Sequence, residues 1–435
     1  MQLASPAGRF TGVTWTGVLF RRLMAVPLAA LRILGAHWAM LITVIALGLA
    51  GRQAVIWLAV VVSNDSPLLA TLLMPLAPIS VMAALIFALW QLRPSLPFVS
   101  QVLTTDPTKE GLRTRLITLG GLLIPFLTVY SSTGLLKADV RAFIADATVD
   151  ESVNTLTTAD YSRVFIQTPW IIALLVATAL VLRKLIAVFA LGERFLPVAF
   201  AGAYLEVLWM ISLSVVLASR IEDVKSWALT RASVAPVVDA VTGVLDWATG
   251  LTGQAGTVVA AVIGFVAGID DLVVVPIAWL TLGAAIYGTS VAASQADTAA
   301  RAPGSTPVSS LTAAAKQRLE AEARTIVNDA SFPIAGPIRT AWGSFKKVAA
   351  AGIAPVIGFC ILFAFAELAE LATVYLWRAV AGPHELMLSY ALEPYAIALA
   401  KLVYYVVALA LVAPAIDRVL RFTRADLAGR HRVTA

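Results

Sequence analysis

Runs of about twenty apolar residues recur along the whole chain, more than a soluble core of this size could bury. A helix rises about 1.5 Å per residue, so each run matches the roughly 30 Å hydrocarbon core of a bilayer. Hydropathy places eight spans, at about 38–62, 68–91, 116–135, 165–182, 196–219, 272–291, 351–378 and 393–415. With 60% of 435 residues hydrophobic and only 13% charged, the alternative of two or three soluble domains is excluded. The expected fold is all-α, a polytopic membrane bundle of about eight transmembrane helices.

The position of the charges sets the orientation. With both termini inside, the inner segments carry 23 of the 32 lysines and arginines and the outer segments 7, leaving Arg52 and Lys401 within spans. Cationic loops stay on the cytoplasmic side, so the expected location is the cytoplasmic membrane with both termini cytoplasmic. The net charge of +6 reflects that bias, and the absence of basic stripes with interleaved aromatics argues against a nucleic-acid partner. Residues 1–37 are expected to form a cytoplasmic N-terminal segment, and no cleaved leader is expected, because Arg32 interrupts the apolar stretch after Arg21 and Arg22 and no cleavage site follows.

The spans read as four in-out-in hairpins. Each returning helix is expected to begin with a proline on the outer side, at Pro75, Pro169, Pro276 and Pro394, where a missing N–H costs nothing. Parallel repeats of this kind are one route to a central pathway, although prolines at helix starts also occur without duplication. Two outer connections are expected to be amphipathic extracytoplasmic helices. In 136–163, Val140, Phe143 and Ile144 oppose Lys137 and Arg141, which suits a helix lying on the surface. In 220–271 an apolar three-to-four period is followed by a thirteen-residue apolar run, 256–268, too short to span; it is either re-entrant or an extension of the next helix. These helices fall within the hairpin region 38–291. A cytoplasmic linker and helix occupy 292–350, hairpin four 351–415, and a basic cytoplasmic tail 416–435.

Five ionisable residues fall inside spans: Arg52, Glu206, Glu367, Glu370 and Lys401. An ionised group at the bilayer centre costs roughly 2.5–3.5 kcal/mol on insertion scales, so these residues are expected to face one another, water or a polar cavity. Glu370 lies eight residues before Arg378 and Lys401 eight after Glu393, which puts both about 12 Å below the outer boundary on adjacent helices. A pair is therefore expected there. The functional reading is a polar transport site at the bundle centre with a carboxylate made easier to protonate by desolvation. The structural alternative is an ion-paired network that fixes helix register.

Function classes narrow by elimination. The one cysteine, Cys360, lies in an apolar run, and His37, His384 and His431 are scattered, so no metal or other cofactor is expected. The paired carboxylates Asp270 and Asp271 near the outer face offer the best enzymatic candidate, for work on a lipid-linked substrate, yet acids in that position also cap the following helix. No catalytic motif supports an enzyme. A transporter, channel or flippase-type subunit leads. A non-catalytic scaffold of a cell-envelope complex is the alternative, with the lipid bilayer, a second copy of the chain or an envelope protein as partners.

Overall fold

The computed structural model describes residues 12–102, 134–154, 169–189, 200–213, 275–280, 353–383 and 385–433, with isolated stretches of one to three residues between them. Every element among the described residues is helical. In chain order they are α1 Gly12–Ser63, α2 Pro67–Leu73, α3 Leu76–Leu92, a 3₁₀ turn Arg93–Ser95 and α4 Pro97–Val102. Then come α5 Leu135–Asn154, α6 Pro169–Val188, α7 Phe200–Leu213, α8 Val275–Ala284, α9 Ile353–Ala381 and α10 Leu386–Val433. The expected features at 220–271, Asp270 and Asp271 among them, and the linker 292–350 lie outside the described residues.

Four stretches are long and apolar enough to cross a membrane: Val26–Ser63, Pro67–Ser95, Ile357–Ala381 and Met387–Arg421. They match the first two and last two spans expected from hydropathy. Large apolar side chains such as Leu31, Leu47, Leu174, Ile361, Phe365 and Leu376 are exposed, which suits helices whose solvent is lipid. Exposed aromatics bracket this surface. On α1, Trp38 and Trp57 stand 19 residues apart, about 28 Å along the axis, and the same interval separates Trp170 at the start of α6 from Phe189 just past its end. Tryptophan prefers the headgroup level, so the Trp57 and Trp38 levels mark two rims spaced like a bilayer core.

Prolines break the second span. Pro75 has no N–H for the Thr71 carbonyl and Pro78 none for that of Met74, so the helix divides at residues 74 and 75. The Met74 carbonyl is satisfied by Ala77 N at 3.1 Å, and Tyr204 Oη of α7 donates to the Leu72 carbonyl in the last turn of α2 at 2.6 Å. The far end of α3 repeats the device. Pro94 cannot donate to Trp90, Arg93 N takes that carbonyl, and Tyr287 Oη donates to Leu89 O at 2.8 Å. In an apolar setting an unpaired carbonyl is costly, so each tyrosine satisfies a group that the proline breaks leave open.

α1 and α3 run antiparallel in close contact. A Cβ built on Gly48 would meet the Ala84 Cβ at 2.5 Å, and Ser80 Oγ donates to the Gly48 carbonyl at 2.8 Å. Nearer the Trp38 rim, His37 Nε2 and Ser95 Oγ are 2.6 Å apart. α10 packs along α1 and α9. Its Asp417 accepts from the N–H groups of Phe98 and Val99 at 2.9 and 3.0 Å, capping α4. The α9–α10 turn hinges on Gly382, whose φ of 75° disfavours any side chain and whose N–H closes α9 by donating to Arg378 O.

Two expectations need correction. Pro394 does not begin the last helix: α10 starts at Leu386, because residues 386–393 are good helix formers that carry the turn back beyond the proline. α5 is helical, with Lys137 and Arg141 exposed and Phe143 buried, but it is not simply laid on the surface. Its Leu136, Asp139, Phe143 and Ala147 stripe is buried, and the helix packs against α1 and α3.

Candidate functional site

The five ionisable residues singled out in the sequence divide among three ion pairs and one further carboxylate. Glu370 of α9 and Lys401 of α10 meet at 2.6 Å, the pair expected from their equal depth. The Lys401 Nζ also stands 5.3 Å from the centre of the Tyr404 ring, within cation–π range. Glu367, one turn before Glu370, lies within electrostatic reach of Tyr404 as well. Arg52 has a different partner. Its Nε donates to Asp139 Oδ1 of α5 at 2.6 Å, and Tyr130 Oη donates to the other carboxylate oxygen at 2.8 Å. Glu206 of α7 pairs with Arg183 of α6 and takes no part in the α9–α10 pair.

Sequence reasoning missed Asp139, Tyr130 and Arg183. Asp139 carried a signal, because it is an acid inside the stripe of Leu136, Phe143 and Ala147 that faces the core. Arg183 carried none, since it sits where a basic residue at a helix foot is ordinary.

Three of the paired residues share a depth. Arg52 is five residues from Trp57, Glu370 five from the exposed Tyr375, and Lys401 six from the exposed Tyr395. Each therefore lies about 8–9 Å inside the aromatic rim. Between them stands Tyr405, buried on α10 and within electrostatic reach of Arg52, Asp139 and Glu370. Its ring contacts Tyr404, with centroids 5.3 Å apart, and Trp279 of α8 at 6.2 Å. Trp279 also meets Phe126 and Phe363, so a packed aromatic cluster underlies the polar layer and fixes the tyrosines.

The Arg52–Asp139 pair is the drier one. The Asp139 side chain is 2% exposed, against 25% and 34% for Glu370 and Lys401. Burial raises the Asp139 pKa above its ordinary value, against the opposing pull of the Arg52 guanidinium and the Tyr130 hydroxyl. Two turns along α5, Asp146 bonds Gln53 and feels Arg52, and its partial burial also moves its pKa upward. Near the end of α5, Arg163 bridges Asp150 at 2.5 Å and Glu151 at 3.3 Å.

Among the described residues no group of three histidine, cysteine, aspartate or glutamate side chains could hold a metal ion. What the layer can do is exchange protons and rearrange ion pairs, since carboxylates, phenols and cations are in contact within it. No protein-family model, curated protein or solved structure is similar enough to this chain to carry a resemblance.

Proposed function

We propose that this is an integral membrane transport protein, a transporter, channel or flippase-type subunit of the cytoplasmic membrane, in which the layer of ion pairs lines or gates the route. In this reading eight spans form four in-out-in hairpins, both termini are cytoplasmic and the Trp57 rim is the outer one. The observation that carries the reading is the common depth of Arg52, Glu370 and Lys401 inside the aromatic rim, each of them held in an ion pair. Buried ion pairs are a poor source of stability, because apolar residues of similar size often do as well or better. Two of them joined by tyrosines in an apolar bundle support a functional role.

A scaffold role is favoured by a different observation. α1 has 52 residues and α10 has 48, about 78 and 72 Å, more than twice the hydrocarbon thickness. Helices of that length project beyond the bilayer, where an envelope partner could dock.

Reconstitution separates the two. The full chain in proteoliposomes is assayed for conductance in potassium chloride and for pH-dye flux, beside Glu370→Gln and Lys401→Met. Transport predicts activity above empty vesicles and a several-fold change in each variant. Wild-type vesicles indistinguishable from empty ones, or variants indistinguishable from wild type, would overturn the transport reading.

A further inference from the structure

Asp139 is held on both oxygens, by Arg52 on Oδ1 and Tyr130 on Oδ2. Among the described residues the groups that face it are few. α1 supplies Arg52, the helical residues near 130 supply Tyr130, and α10 brings Tyr405 within electrostatic reach, with Glu370 of α9 behind it. α3, which also packs on α5, has no titratable side chain between Leu76 and Leu92. On α5 itself Lys137 and Arg141 are exposed, and Asp146 follows seven residues on, within about 20° of the same helix face.

We infer that Asp139 is a proton-binding site, and that proton uptake there breaks the ion pair joining α1 to α5, making the proton the ion that drives the transport cycle proposed above. What the proton drives rests on that reading; where it binds rests on the geometry. In the step itself Oδ1 of the carboxylate gains the proton and the side chain loses its charge. Arg52 stays cationic and gives up that acceptor, while Tyr130 keeps its bond to Oδ2. The guanidinium is not stranded. Asp146 lies within its electrostatic reach and is less buried than Asp139, so a second carboxylate of the same helix stands beside the arginine. Two acids of one helix thus share one arginine, and Asp139 is the one held on both oxygens. Because Asp139 sits on α5 and Arg52 on the membrane-crossing α1, release of the pair frees one helix to move against the other.

Infrared difference spectroscopy on the full chain in lipid nanodiscs tests the site without requiring flux. On acidification from about pH 9 to about pH 4, the carboxylic-acid C=O signal from buried, dry groups is expected in the wild type to contain a component that is lost in Asp139→Asn, Glu206 being the other acid as deeply buried among the described residues. Tyr130→Phe covers the case in which Asp139→Asn does not fold. It removes a bond that favours the ionised form, so the midpoint of the band is expected to rise by about 0.5–1 pH unit. A signal that is unchanged in Asp139→Asn, that does not move in Tyr130→Phe, or that never appears in the wild type would overturn the inference. Loss of flux with the band intact would instead count against the transport reading, and flux without the band against the proton site alone.

Discussion

Removing one member of a buried ion pair strands the other, whereas replacing both with apolar groups can be nearly neutral. Arg52→Gln should therefore cost about 3–5 kcal/mol of stability, and Arg52→Met combined with Asp139→Leu should recover most of it, as measured by thermal unfolding in detergent. The Asp139 pKa also has a signed consequence. An acid whose folded-state pKa exceeds its ordinary 3.8 holds its proton more tightly folded than unfolded. Its contribution is present in full below 3.8 and is lost as pH rises through the raised value. Acidification should accordingly raise the Tm of the wild type relative to that of Asp139→Asn, and parallel Tm profiles would contradict the assignment. The sequence made Arg52, Glu206, Glu367, Glu370 and Lys401 visible because a charge in an apolar run stands out. Asp139 was hidden because the helix around it is polar on its other faces, so one more acid drew no notice.

Helices α1 and α3 approach through a glycine, and that contact is open to test. Gly48→Leu would drive a side chain into Ala84 and the Ser80 carbonyl, with a cost of about 1–3 kcal/mol or more from overpacking. Gly35, with nothing within 4 Å of a built Cβ, should accept alanine without that loss. The tyrosine plugs of the interrupted second span make a separate prediction. Tyr287→Phe leaves the Leu89 carbonyl without its hydroxyl and should cost about 1–3 kcal/mol, read as a lower Tm. Hydropathy revealed the span, and the prolines its weak points. It did not reveal which carbonyls would be freed or that tyrosines some 130 and 200 residues away would reach them, because such contacts depend on packing between distant segments.

Across the whole molecule the fold class was legible and the grouping of charges was not. Long apolar runs announce helices whatever their neighbours, so the first two and last two spans match the four membrane-length stretches of the structure. The meeting of Glu370 and Lys401 was legible for the same reason, since depth along adjacent helices follows from residue counting. Arg52 and Glu206 found partners, Asp139 and Arg183, that counting could not nominate, because their pairing requires knowing which helices touch. The same map predicts labelling. In a Cys360→Ala background a cysteine at position 225 or 245 should react from outside and one at 310 from inside, and the reverse pattern would invert the orientation. The most direct test of the central claim is a density map of the full chain in a lipid nanodisc. It should show Arg52 paired with Asp139 and Glu370 with Lys401, with Arg52, Glu370 and Lys401 inside the hydrocarbon slab between the levels of Trp38 and Trp57. The same side chains unpaired, or lying outside that slab in the headgroup layer, would contradict it.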